Sequence, residues 1–206
     1  MRSSDEVITL NSTVDTPGDV RRYATAMIPS EPDCYWVQDG QLLAGEYPGD
    51  REETTARQKL GDLLDAGIRT FVDLTESHEL TPYEAWLESE ADARGLAVRY
   101  QRFPIEDLNV PTVSRMRDIL AEITRAVEAA APVYVHCWGG IGRTGTVVGC
   151  WLVERDHTGV SALEHLDELR MRSEKKRRPS PEMPEQLEFV RTWGTGRRRM
   201  SGKLEV

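Results

Sequence analysis

The chain of 206 residues holds 35 acidic and 26 basic side chains, a formal net charge of −9, which argues against a broad nucleic-acid-binding surface. No apolar run reaches bilayer length and no signal-peptide pattern opens the polar N-terminus, so no membrane span is expected. Three cysteines (Cys34, Cys137, Cys150) are too few for a disulfide framework, and no Cys-x-x-Cys or His-x-x-x-His spacing suggests a metal site. A reducing, cytoplasmic compartment is therefore expected, with no cofactor.

Residues 1–32 are polar and aperiodic and read as an N-terminal extension that ends at the Pro29-Ser-Glu-Pro32 break. Residues 33–195 carry the periodic pattern of one domain, and 196–206 form a basic tail. Cys34–Val37 and Leu42–Glu46 read as short strands around the Gln38-Asp-Gly40 turn. A helix follows over Glu52–Asp65, with Ala56, Leu60, Leu63 and Leu64 on one face and Gly67 as its stop. Thr70–Leu74 is apolar enough for a strand buried on both faces. Pro82 opens a helix with Tyr83, Trp86, Leu87 and Ala91 aligned, ended by Gly95; Ala97–Phe103 is the next strand.

A loop, Pro104–Pro111, leads to a helix over Thr112–Ala130 with Val113, Met116, Leu120, Ile123 and Val127 as its apolar stripe. Pro132 starts a further strand. Helices over Thr144–Glu154, Ser161–Met171 and Pro181–Trp193 complete the domain. Strands alternating with helices predict an α/β fold, a mostly parallel central sheet covered by helices on both faces. The basic clusters Lys175–Arg178 and Arg197–Arg199 read as solvated faces or a loose tail.

The chemistry concentrates in Val133-Tyr-Val-His136-Cys137-Trp138-Gly139-Gly140-Ile141-Gly142-Arg143-Thr144-Gly145. A strand, a glycine-rich turn and a helix N-terminus make an anion site, because free backbone N–H groups converge there. Glycines at 139, 140 and 142 let the backbone curl around a tetrahedral anion. A helix N-terminus and an arginine can lower a thiol pKa from about 8.5 to about 3.5–7.5, which makes Cys137 a nucleophile. The planar fork of Arg143 can hold two phosphate oxygens and stabilise charge on a phosphoryl group in transfer.

His136-Cys137-x-x-Gly140-x-x-Arg143-Thr144-Gly145 resembles the signature of the cysteine-dependent protein tyrosine phosphatase superfamily, in particular its compact dual-specificity branch near the kinase-associated and Cdc14-like phosphatases. The resemblance covers roughly residues 34–193 and implies a protein tyrosine phosphatase-like fold. It implies that Cys137 forms a phosphocysteine and that Arg143 with the amides of Trp138, Gly139, Gly140, Ile141 and Gly142 binds phosphate. It gives His136 the task of orienting the loop and helping to hold the thiolate, and Thr144 that of hydrogen-bonding the departing sulfur. The family places an acid on an upstream loop, where Asp107 matches the Pro-Ile-x-Asp pattern and Glu106 competes. Gln186 resembles the glutamine that positions the hydrolytic water, an exposed helical glutamine being the alternative, and Asp107 could serve as base for that water. Asp73 and Glu76 fall at the sheet's carboxyl edge, with a structural or solvated role favoured, and Tyr83 fits core patterning.

The expected activity is that of a protein phosphatase on phosphotyrosine, with phosphoserine and phosphothreonine admitted by a shallow cleft. The uncharged Trp138 and Ile141 favour a phosphorylated protein over a multiply phosphorylated lipid. The alternatives are the same mechanism on a small phosphoester (inositol phosphate, phosphoinositide or nucleotide), or an inactive phosphoprotein-binding module.

Overall fold

The computed structural model describes residues 7–9 and 32–194. Six strands form one sheet: β1 (Val7–Thr9), β2 (Cys34–Gln38), β3 (Leu42–Gly45), β4 (Thr70–Asp73), β5 (Arg99–Arg102) and β6 (Val133–His136), in the order β1-β5-β4-β6-β3-β2. β3, β6, β4 and β5 run parallel, and β1 and β2 add antiparallel edges. Every residue of β3, β4 and β6 is buried; β4 and β6 lie between two parallel neighbours, and β3 between parallel β6 and antiparallel β2, with helices over both faces. The mostly parallel sheet read from the sequence is what the chain forms.

Six helices cover it: α1 (Glu53–Asp65), α2 (Glu84–Ala93), α3 (Val113–Glu128), α4 (Gly142–Val153), α5 (Gly159–Leu169) and α6 (Pro184–Thr192). One core joins Leu60, Leu63, Leu64, Leu87 and Ala91 of α1 and α2 to Leu43, Phe71, Tyr100 and Tyr134 of the sheet. The other joins Leu42, Ala44, Val72, Val133 and Val135 to α3, α4, α5 and α6. The alternation of side chains along each strand divides neighbouring residues between the two cores.

The chain crosses from β3 through α1 to β4 and through α2 to β5 on one face, then returns through α3 on the other and inserts β6 between β3 and β4. At that reversal a cleft opens beyond the strands' carboxyl ends. Gly45, Asp73 and His136 stand level there, paired across the sheet.

Several boundaries differ from the periodic reading. α4 begins at Gly142, so Arg143 lies inside its first turn. α6 begins at Pro184 rather than Pro181, and α2 at Glu84 rather than Pro82. Val113 is half exposed and Ile119 takes its place in the stripe of α3. Of the N-terminal extension, β1, which pairs with β5, and Pro32 are described; residues 1–6 and 10–31, and the C-terminal tail with Arg197–Arg199, lie outside the described residues.

Candidate active site

The turn from β6 into α4 is fixed through its carbonyls. His136 Nδ1 meets the Cys137 carbonyl at 3.3 Å. Tyr47 N–H donates to Trp138 O at 2.9 Å, and Lys175 Nζ to Gly139 O at 3.2 Å. Ser180 Oγ donates to Ile141 O at 2.8 Å, and Thr146 Oγ1 to Gly142 O at 2.9 Å. In a trans peptide the carbonyl and the following N–H point opposite ways. Pinning these carbonyls outward therefore turns the N–H groups of 138, 139, 140, 142 and 143 inward, a cradle for an anion. The three glycines serve different ends. Gly140 alone of them takes a left-handed φ, +69°, where a Cβ would sit 2.6 Å from Gly45 C. Gly139 has room for a side chain, and Gly142 lies against the Gln186 amide.

Cys137 is 3% exposed at the start of this turn. Arg143 is buried behind it and almost fully committed. Its Nη1 donates to Glu79 Oε1 at 2.6 Å and to Ile105 O at 2.9 Å, and its Nη2 to Glu79 Oε2 at 2.8 Å. Asp107 Oδ1 lies 2.9 Å from the same Nη2. Burial opposes the charges of this pair, but their mutual hydrogen bonds prevail, holding the Glu79 carboxyl below its usual range and the guanidinium above its own. Arg143 Nε and Thr144 Oγ1 are buried with no hydrogen-bond partner among the described residues. Buried donors of this kind are costly unless satisfied, so they mark where an oxyanion fits.

His136 is fully buried and reaches the loop rather than the thiol. A carbonyl only accepts, so Nδ1 carries the proton toward Cys137 O, and Nε2 accepts from Tyr83 Oη at 2.7 Å. Burial lowers its pKa despite Asp73, so the ring is neutral and contributes orientation, not charge. Tyr83 is core, as its spacing implied, and also a partner of this ring. Asp73 accepts from Thr75 N and Oγ1 and from Tyr100 Oη, and pairs with Arg102. Burial would raise its pKa; the coulombic pull of His136, exerted only when that ring is protonated, the hydrogen bonds from Thr75 and the charge of Arg102 lower it. The structural role expected of Asp73 is the one it fills.

Asp107 reaches Arg143, whereas Glu106 is exposed and accepts from Asn109 Nδ2. Gln186 is neither an exposed helical residue nor a free amide. It is fully buried, its Oε1 accepts from Glu182 N and Met183 N, and its Nε2 donates to Asn109 O at 3.0 Å, which ties α6 to the acid loop. Trp138 stands out at the rim, 62% exposed, and Ile141 is buried beneath. Beside Trp138 a cleft of about 410 Å³ is lined by Tyr47, Arg51, Lys59, Leu80 and Lys175.

Sequence reasoning missed Glu79, Ser180 and Lys175. Attention to carboxylates at the sheet's carboxyl edge picked Asp73 and Glu76; the third acid of that segment, Glu79, is the one that grips Arg143. Lys175 sits in a basic run read as solvated, yet its ammonium meets the loop and Glu46.

Residues 31–190 match the family model described as PTP-SAK: Swiss Army Knife protein, DSP-PTPase phosphatase domain. The chain belongs to this family of cysteine-dependent phosphatase domains. It is 27% identical over 164 residues to the Arabidopsis thaliana phosphatidylinositol 3,4,5-trisphosphate 3-phosphatase and protein-tyrosine-phosphatase PTEN1, covering 78% of this chain and 37% of that one. It is 32% identical over 152 residues to the Arabidopsis thaliana phosphatidylglycerophosphate phosphatase PTPMT2, covering 67% and 56%. It thus spans well under two thirds of the length of these relatives. Among solved structures, Tk-PTP in its active form superposes with a TM-score of 0.59 at 27% identity, over 79% of this chain and 97% of that one. Kinase associated phosphatase (KAP), at 18% identity, shares the fold with a TM-score of 0.62, over 84% and 96%.

Proposed function

We propose that this chain hydrolyses phosphoprotein monoesters, phosphotyrosine first and phosphoserine or phosphothreonine as well, through a phosphocysteine. The observation that carries the reading is that buried Cys137 opens a turn whose carbonyls are tied away, next to a buried unpartnered Nε on Arg143 and a buried unpartnered hydroxyl on Thr144, with Asp107 on the same arginine. The Cys137 thiolate attacks phosphorus, the S–P bond forms as the ester P–O bond breaks, and Asp107 gives its proton to the leaving oxygen. Water then attacks phosphorus while Asp107 takes up its proton; the S–P bond breaks, Thr144 donates to the sulfur, and phosphate leaves. The Nε–Nη2 edge of Arg143 meets the equatorial oxygens, so a bound phosphoryl group takes the place of Asp107 at Nη2 and moves that carboxyl toward the leaving group.

The protruding indole of Trp138 beside the cleft supports an aromatic or peptide phosphoester, and the three free, buried cysteines support a cytoplasmic site of action. Relatives named for phosphoinositide and phosphatidylglycerophosphate substrates favour a lipid phosphoester as the second reading. Cys137→Ser is expected to abolish turnover of an aryl phosphate while leaving inorganic phosphate bound; retained turnover would falsify the mechanism. Relative kcat/KM across phosphopeptides, phosphoinositides and phosphatidylglycerophosphate decides the substrate class, and a preference for either lipid overturns the protein reading.

A further inference from the structure

We propose that Lys175 is a positioning residue for phosphate binding: by holding the Gly139 carbonyl outward it turns the Gly140 N–H into the oxyanion cradle. The inference rests on the phosphate-site reading above and adds a residue outside the signature.

Lys175 lies in the segment between α5 and α6, far in sequence from the loop it touches. Its Nζ donates to Gly139 O at 3.2 Å and pairs with Glu46 Oε2. Among the described residues the Gly139 carbonyl is held by a charged side chain from another element, whereas the Ile141 carbonyl is held by the neutral hydroxyl of Ser180. A charged donor holds a carbonyl more strongly than a neutral one.

The segment is built to deliver this side chain. Arg170 is 2% exposed, and its guanidinium donates to Lys175 O at 3.1 Å and Arg178 O at 2.9 Å, so a buried cation fixes the main chain at Lys175 itself. Ser173 Oγ donates to Asp33 Oδ2 at 2.8 Å, Glu174 N to Asp33 Oδ1 at 3.2 Å, and Lys175 N to Ser173 Oγ at 3.1 Å. Glu46, which receives the ammonium, is held in turn, its Oε1 accepting from Asp33 N at 3.2 Å and its carbonyl from Tyr134 Oη at 2.6 Å. An ion pair with both partners about one quarter exposed adds little to stability by itself. So much buried scaffolding for a weak surface pair is accounted for by what the ammonium does to the loop. The neighbouring Lys176 and Arg177 are exposed, so the effect belongs to Lys175 and not to the basic run as a whole.

The test replaces Lys175 with Met, which keeps the length without the donors, and with Arg, which restores charged donors. Inorganic phosphate affinity is measured by calorimetry, and kcat and KM with an aryl phosphate and with an acidic phosphopeptide. Lys175→Met is expected to weaken inorganic phosphate binding about tenfold and to lower kcat/KM for both substrates by the same factor, with Lys175→Arg recovering most of it. Unchanged phosphate affinity in Lys175→Met overturns the proposal, and so does a loss confined to the acidic peptide, which would make Lys175 a substrate contact. If thermal melting shows that Lys175→Met does not fold, Glu46→Gln, which leaves the lysine but removes its anchor, must weaken phosphate binding in the same direction; no change there overturns the proposal equally. The phosphate measurement needs no turnover, so it stands apart from whether the protein is an active phosphatase.

Discussion

Cys137 is 3% exposed, and the carbonyls around it are held by donors from β6, the segment after β3, α4 and the loop before α6. Asp107 keeps 49% of its side chain in solvent, and its loop is tied by Asp107 to Arg143 and by Asn109 O to Gln186. Leu108, beside it, takes φ +61°, a conformation that costs a side-chain-bearing residue of order 1–3 kcal/mol and is kept only where contacts enforce it. On the proposed function the difference follows from the two tasks. Charge on a transferring phosphoryl group is best met by donors fixed in advance. A proton donor must leave Arg143 when phosphate arrives, approach leaving groups of differing size, and later take a proton back.

The largest effect that could break this contrast is on the acid side. Asp107→Asn is expected to slow turnover of esters with poor leaving groups by about 10²–10⁴-fold, and of an activated aryl phosphate far less. Inorganic phosphate should bind at least as tightly, because a negative charge beside Nη2 is gone. Equal losses for good and poor leaving groups, measured by steady-state kinetics, would move the acid elsewhere. On the fixed side, Glu79→Ala strips the end of a guanidinium that is 1% exposed. The expected loss is about 3 kcal/mol in denaturant unfolding, the lower end for a broken buried pair because Glu79 retains some solvent access. Phosphate affinity should fall with it. Unaltered stability and affinity would show that Ile105 O and the fold place Arg143 unaided.

The same contrast explains what was legible in the sequence. The layers and the parallel core follow from local apolar runs, and the signature from a contiguous strand, turn and helix start, so both could be read from neighbouring residues. Asp107 was found through resemblance, because its loop matches the family's Pro-Ile-x-Asp pattern. Glu79, Ser180 and Lys175 act on Arg143, Ile141 and Gly139 across 64, 39 and 36 positions of chain, and no local periodicity encodes such a meeting. Gln186 was placed at the site by resemblance, but its burial depends on the sharp entry into α6 and on Gly142, where a Cβ would stand 3.1 Å from its Oε1. The helix starts drifted for a simpler reason. Prolines at 82 and 181 precede α2 and α6 by two or three residues, because a fixed φ suits the approach to a helix as well as its first turn.

The smallest predicted effect probes what holds the loop from below. His136 is buried with its pKa depressed from an ordinary value of 6.5. As pH falls below that value, the unfolded chain binds a proton that the native chain refuses until its own lower pKa is reached. Native stability is therefore full above about pH 6.5 and declines on acidification, by at most about 1.4 kcal/mol per pH unit for one proton. The carboxyls of Asp73 and Glu79, also depressed, contribute in a separate window. Their stabilisation is present above their ordinary values of 3.8 and 4.5 and is lost only as pH drops through the lower native ones. Between pH 6.5 and 5 the decline thus belongs to His136 among these three. Denaturant unfolding at pH 7.5, 6.5 and 5.5 should show it, and His136→Asn should flatten that limb while lowering stability throughout. A direct reading comes from the ring's proton resonances in the wild-type protein: the ring should stay neutral through pH 6.5. A titration at or above that value would mean that Nε2 does not accept from Tyr83 and that a charged ring, not a neutral one, faces the Cys137 carbonyl.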